Sequence, residues 1–443
     1  MTPAPTPAEE RNRYLDTLRG VAVLGILLMN IIGFGMPWEG DANPHVYGGD
    51  TGPSLWYWFA SQLFFEGKMR CIFSMLFGAG MLLLTARASR SGTDSAADIY
   101  LRRCLWLILF GMLHAYLLWY GDILYMYGLI GLALFPFRHV RPGRLLVIGF
   151  ILISTLIPKA MLADYELKDQ AGKAAAAQAA KEAGAELTEE QSAAIAAWEE
   201  KKKEFNPPRE AIDKEIAAHR GGWVEAFVYR LKITEMVETT ITYRWGVTDV
   251  GGMMFIGMAL LKLGVFTGQR TTRFYLLMVL FGYGVGVSMN EVIAVEKMDA
   301  DYDPTKLSPF GPAAYNYGRL LVALGHIAMV MLVCRSGRLG FLTRRLAAVG
   351  RMPLSNYFFE TVACCLFFEG YGLGMYGKLE RYELLYVVAG VWAASLLASP
   401  LWLTFFRYGP AEWVWRALTY WKCPALRVKA KDADVVSGEQ VAP

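Results

Sequence analysis

The feature that most constrains this chain is a set of long runs almost free of charge: Val21 to Pro37, Cys71 to Thr85, Cys104 to Trp119, Leu145 to Pro158, Phe274 to Asn290 and Leu384 to Phe406. A helix rises ~1.5 Å per residue, so ~20 such residues cross the ~30 Å of hydrocarbon in a bilayer. A water-soluble helical enzyme would show a charged face every turn, and these segments do not. Only 19% of residues are charged and 55% are hydrophobic, whereas soluble domains are about a quarter charged. The expected fold is therefore all-α, a polytopic transmembrane helical bundle.

Ten spans follow from the apolar runs, at 17–37, 68–88, 103–120, 123–137, 144–162, 249–265, 273–293, 317–335, 354–371 and 384–406. Basic residues cluster on every second connection. Arg11, Arg13 and Arg19 precede the first span, and the loop after it, PWEGDANPHVYGGDTGP, has no Lys or Arg. The next clusters are Arg87, Arg90, Arg102 and Arg103; Arg138, Arg141 and Arg144; and Arg270 and Arg273. The last are Arg335, Arg338, Arg344 and Arg345, then Arg407, Arg416, Lys422, Arg427, Lys429 and Lys431. The positive-inside rule then places both termini in the cytoplasm. No apolar stretch with a cleavage site opens the chain, so the first span is expected to act as its own insertion signal.

Residues 54–66, SLWYWFASQLFFE, read as an interfacial aromatic helix. Asp164 to Arg220 is rich in Ala, Glu and Lys and reads as an external helical hairpin broken at Asn206-Pro207-Pro208. Trp223 to Tyr243 is amphipathic and expected at the same surface. The chain thus divides into spans one to five (1–162), an external insertion with an interfacial helix (163–248), spans six to ten (249–425) and a disordered cytoplasmic tail (426–443). Its six cysteines show no CxxC or Cys/His spacing, so free thiols and no metal are expected. The net charge of +4 comes from the loops and gives no sign of nucleic-acid binding.

Within the spans, a few polar residues need a reason. GMLHAYLLWYGDILYMYG at 111–128 places His114 and Asp122 among Leu, Trp, Tyr and Met. His114 lies eleven residues beyond Arg103, about 17 Å along a helix, hence in the outer half of the bilayer. An ionisable group at that depth usually lines a cavity or a reaction site, and imidazole exchanges a proton near neutral pH. The plainer readings are a histidine bonded to a backbone carbonyl and an aspartate capping the next helix. Asp16, Arg19 and Asn30 on the first span, Glu66, Lys68 and Arg70 at the second, His326 on the eighth, and Arg351, Asn356 and Glu360 at the ninth keep it company. Together they suggest a polar cavity serving acyl transfer, transport or helix-to-helix hydrogen bonding.

Several stretches carry a resemblance. RYLDTLRGVAVLGILLMNI at 13–31 resembles the opening helix of transmembrane acyltransferases. GKMRCIFSMLFGAGM at 67–81, FGMLHAYLLWYGDILYMYGLIG at 110–131, GRMPLSNYFFE at 350–360 and FRYGPAEWVWRALTYWK at 406–422 resemble the YeiB-like bacterial inner-membrane family. That resemblance, and its kinship with acyltransferases, implies transfer of an acyl group from cytoplasmic acyl-CoA, commonly acetyl-CoA. The acceptor would be a hydroxyl or amine of an envelope glycan or lipid. In the O-acyltransferase type a first-span Arg is followed by a catalytic His; Arg19 matches the Arg, but Asn30 stands where the His would be.

The base must then come from His45, in the external loop, or His114. A buried base has the fixed geometry and dry setting that help catalysis, which favours His114. On this reading His114 deprotonates the acceptor and Asp122 orients it, while Asn30 or Asn356 donates to the oxyanion. Arg19, Arg102, Arg103, Arg344, Arg345 and Arg351 are candidates for the CoA phosphates, with Lys68 and Arg70 for an anionic acceptor. Asp16 and His326 complete the candidate set. The alternatives are a transporter or flippase using the same path, and an envelope-assembly partner. A homodimer is open to it through its Gly-lined spans and external arm.

Overall fold

The computed structural model of the protein describes residues 12–90 and 96–428, with Arg87 and Arg90 described in backbone only. Arg11, Lys429, Lys431 and the expected tail from residue 429 onward lie outside the described residues. The described chain is helical, and its one β-feature is an isolated antiparallel bridge between Phe406 and Arg427.

A helix stands at each expected span. In chain order the helices are α1 Arg13–Gly35, the single turn α2 Glu39–Ala42, α3 Gly52–Phe64, α4 Lys68–Arg90, α5 Ala96–Leu117 and α6 Leu124–Leu134. They continue with α7 Pro142–Ser154, α8 Leu156–Glu182, α9 Glu189–Lys202, α10 Arg209–Arg220, α11 Trp223–Met236 and α12 Val247–Lys262. The last are α13 Thr272–Asp299, α14 Gly311–Ser336, α15 Gly340–Arg351, α16 Pro353–Phe368, α17 Leu384–Phe405 and α18 Pro410–Tyr420. Among the described residues, six helical stretches are long and apolar enough to cross a membrane: 13–35, 52–86, 142–182, 272–299, 311–336 and 384–405. The protein is a membrane protein. The helices α6, α12 and α16 are shorter, with 11, 16 and 16 residues.

Local chemistry sets the boundaries. Asn12 caps α1 by accepting from the Leu15 amide at 3.3 Å, and Thr271 does the same for α13 at 3.2 Å from Phe274. Gly337, at φ +68°, ends α14. α1 is the hub, packed on α4, α14, α15, α16 and α17. Small residues let the backbones meet: a Cβ on Gly350 would sit 1.8 Å from the Asp16 carbonyl oxygen, and one on Gly257 would sit 1.9 Å from that of Met75.

The insertion departs from the expected hairpin. It has the break at 203–208 and a second one at 183–188, where Gly184 takes φ +81°, so α8, α9 and α10 are three helices. α8 also begins within the expected fifth span, directly after α7. Trp223–Tyr243 is no separate surface helix. α11 runs through a π-helical segment, Val237–Gly246, straight into α12. The run 54–66 is helical as expected, but α3 is buried along Tyr57, Trp58 and Ser61.

At one end Arg335 donates to Gly268 O and Arg270 O at 2.9 and 2.8 Å and Arg13 to Gly340 O at 3.3 Å, and the insertion packs on the connections after α1 and α16. There Glu215 accepts from the Trp38 amide at 3.1 Å and from Tyr376 at 2.8 Å, and the Gly370 amide donates to His219 O at 2.8 Å.

Candidate functional site

The turn between α5 and α6 brings His114 and Asp122 together. His114 Nδ1 lies 3.0 Å from Asp122 Oδ1, and neither side chain has any exposed surface. The contact is close but poorly aligned for a hydrogen bond. On its other edge His114 Nε2 is 2.9 Å from Thr361 Oγ1 of α16, and Tyr357 and Phe358 flank the ring at 4.9 and 5.6 Å between centroids. Asp122 Oδ2 also accepts from the Tyr125 amide at 2.7 Å, so the capping role holds alongside the pairing. Gly111 makes room, because a Cβ there would fall 2.6 Å from Asp122 Oδ2.

A second polar group lies between α4, α12 and α14. Arg319 grips Asp249 with both terminal nitrogens, at 2.9 and 2.5 Å, and donates to Asn316 at 2.7 Å. Arg70 reaches the same carboxylate at only 3.4 Å and keeps 35% of its side chain accessible. Tyr315 donates to Glu66 at 2.8 Å. Lys68 is fully buried and bonds to the Gln62 carbonyl, so of the two expected anion ligands Arg70 is the accessible one. One face of α4, Arg70–Phe73–Phe77–Gly80–Leu84, stays partly accessible although the helix packs on α1, α5, α6, α12 and α14. Arg19 and Asn30 are also partly accessible, and their spacing puts them on one face of α1.

At the arginine-rich end, Arg103 stacks on Trp415 with its guanidinium 3.6 Å from the ring centroid, while Trp415 Nε1 donates to Arg103 O at 3.0 Å. Arg416 lies over Tyr408 at 4.6 Å. The charges of Arg416 and Arg19 act on Arg103, and neither Arg103 nor Arg416 has a carboxylate partner among the described residues. Arg19 pairs with Asp16 at 3.0 Å. Three guanidiniums thus act on one another electrostatically, and one of them, Arg19, is paired with an acid.

Other expected residues hold the fold. His326 is bonded at both nitrogens, to Tyr283 OH at 2.7 Å and Phe64 O at 2.8 Å. Asn356 donates to Met352 O at 2.9 Å and accepts from Ser399 at 3.1 Å, tying α16 to α17. Arg351 is exposed at the end of α15. His45 is exposed and lies 2.6 Å from Asp50, whose carboxyl it holds below its usual range by hydrogen bonding. The 350–360 and 406–422 stretches meet in one cap: Glu412 accepts from the amides of Leu354 and Ser355 at 2.6 and 3.1 Å and from the Ser355 hydroxyl. Asp249, Arg319 and Thr361 were absent from the expected set. Asp249 and Arg319 carry the signal that marked His114, a charge in an apolar run, whereas a threonine carries none.

The family described as "Protein of unknown function (DUF418)" matches residues 260–422. The uncharacterized protein YeiB of Escherichia coli (strain K12) is 32% identical over 93% of this chain and 96% of its own. The uncharacterized protein YxaH of Bacillus subtilis (strain 168) is 29% identical over 96% of this chain and 98% of its own. No solved structure matches. At 32% identity along nearly all of both chains, the protein belongs to the YeiB family.

Proposed function

We propose that the protein is an acyl-CoA-dependent transferase of the bacterial inner membrane, with its arginine-rich end in the cytoplasm. It would move an acyl group, acetyl in the simplest case, onto a hydroxyl or amine of an envelope glycan or lipid. The observation that carries this reading is the mutual action of the Arg19, Arg103 and Arg416 charges, of which only Arg19 pairs with a carboxylate among the described residues. Planar guanidiniums such as Arg103 and Arg416, held over Trp415 and Tyr408, are suited to the phosphates of a CoA. The accessible faces of α4 and α1 lead inward from there toward Asn30 and Arg70. At the opposite end, a cleft of about 200 Å³ lined by Trp38, Glu39, Asn43, Phe205, Lys297 and Tyr302 offers an entrance for the acceptor.

His114 is the proton acceptor this reading requires, oriented by Asp122. Because the pair is sealed, the acceptor reaches it through a shift of α16, which holds Thr361, Tyr357 and Phe358 against the ring. A transporter or flippase is the second reading, favoured by Arg70, which stays accessible beside a buried Arg–Asp pair. Calorimetric titration of acetyl-CoA into the purified protein in nanodiscs tests the first reading. Saturable binding that is lost in Arg103→Ala or Arg416→Ala is the expected result. A folded wild-type protein that takes up no acetyl-CoA would remove the acyl-CoA reading and leave transport.

A further inference from the structure

The π-helical segment Val237–Gly246 has no part in the scheme above. π-turns are rare within helices and are frequent at functional sites. This one carries Glu238 and Thr242, four residues apart, at 6% and 0% exposure. Neither carboxyl oxygen of Glu238 nor the Thr242 hydroxyl has a hydrogen-bond partner among the described residues. A buried carboxyl without a partner is costly as an anion and favours its protonated form.

Helix contacts fix where these groups point. Thr234 Oγ1 lies 3.5 Å from Ala115 O, Tyr243 OH lies 2.7 Å from Tyr125 OH, and Gly246 packs on Met126. Residue 238 therefore falls opposite the corner between α5 and α6 that holds His114 and Asp122. Asp122 is the charge that acts on it. The other titratable groups around it are His114 of α5, Tyr125 of α6, Tyr357 of α16 and Tyr243 of its own segment, with Glu360 beyond Tyr357. Tyr243 is 54% exposed. A line of proton-bearing groups thus runs from the sealed imidazole to the surface at the insertion end.

We propose that Glu238, assisted by Thr242, Tyr125 and Tyr243, forms a proton path that connects the sealed His114–Asp122 pair with the outer surface. The proton leaves imidazolium Nδ1 for Asp122 Oδ1, the N–H bond breaking as the O–H bond forms. Glu238, protonated at rest, passes its own proton to the Tyr125–Tyr243 hydroxyl pair, which releases one to water. The carboxylate so formed takes the proton from Asp122, which restores both acids. No electrons are transferred, and every group returns to its starting state. This path rests on the proposal that His114 takes up a proton.

Infrared spectroscopy of the purified protein in nanodiscs tests it without any acyl donor. The protonated-carboxyl C=O band of Glu238 should be present in wild type, be lost in Glu238→Gln, and shift promptly on transfer to D₂O. Tyr125→Phe should slow that shift several-fold while leaving the band in place, and this arm stands even if Glu238→Gln fails to fold. The path is overturned if the band survives Glu238→Gln, or if Tyr125→Phe and Tyr243→Phe exchange as fast as wild type. Loss of acetyl-CoA binding with exchange intact would count against the transferase reading alone.

Discussion

Asp122 serves two partners with its two oxygens: Oδ1 faces His114 Nδ1 at 3.0 Å and Oδ2 accepts from the Tyr125 amide at 2.7 Å. Removing the carboxylate leaves both the imidazole Nδ1 and a helix-start amide facing no carboxylate inside the bundle. Asp122→Ala should destabilise the protein by about 3–5 kcal/mol, the range for breaking a buried charge pair. Asp122→Asn keeps an acceptor for Tyr125 and should cost less. Thermal unfolding in detergent measures both. Equal melting temperatures for the two variants would show that the charge facing His114, and not the cap, is what Asp122 supplies.

Arg103 depends on Trp415 for its orientation. The indole holds the guanidinium flat and donates to the Arg103 carbonyl at 3.0 Å. Trp415→Leu removes an interaction of roughly 1–2 kcal/mol and should weaken acetyl-CoA binding about tenfold. Arg103→Lys should not restore a site built on a stacked planar cation. Titration of acetyl-CoA into the two variants reads both effects, and unchanged affinity in Trp415→Leu would separate the stack from ligand binding.

Much of the fold was legible because bilayer-length apolar runs admit few alternatives, and a helix stands at each expected span. The second break in the insertion was harder to see. Gly184 stands alone in an Ala- and Glu-rich run, without the proline that marked 206–208. The π-segment left no trace in the pattern, since VETTITYRWG reads as an ordinary amphipathic turn. Of the site, His114 and Asp122 stood out as polar residues in an apolar run. Their contact depends on how tightly Gly121 turns the chain and on the room left at Gly111, and neither follows from spacing. Lys68, His326 and Asn356 looked equally functional, yet each is tied up by backbone groups that a sequence does not display.

Helix spacing is set by glycine at the α4–α12 contact. A Cβ on Gly257 would lie 1.9 Å from the Met75 carbonyl oxygen, a backbone atom that cannot step aside. Gly257→Ala should force the helices apart and cost on the order of 1–3 kcal/mol, as overpacking does. Gly251 on the same helix is the internal control, because its Cβ would meet only Ile130 Cγ2 at 3.6 Å. Gly251→Ala should melt at or slightly above the wild-type temperature, given the gain in helix propensity. A Gly257→Ala protein as stable as Gly251→Ala would show that α4 and α12 have slack between them.

Glu238 gives the stability a distinctive dependence on pH. Burial, and then the Asp122 charge, raise its carboxyl from 4.5 to about 8. Below the lower value, folded and unfolded chains both hold the proton and the group is neutral in its effect. Between the two values the unfolded chain gives up the proton while the folded chain keeps it. The unfolded state then binds fewer protons, so stability falls as pH rises across this window. Above about pH 8 both states are ionised and the slope from this group ends. Glutamine cannot ionise, so the difference between wild type and Glu238→Gln isolates the effect from every other titrating group. Melting temperatures in detergent should diverge between pH 5 and about 8, with wild type falling relative to Glu238→Gln. Parallel curves, or a wild type that gains on the variant with rising pH, would mean that Glu238 is already ionised in the folded protein and would remove the basis for its place in the proton path.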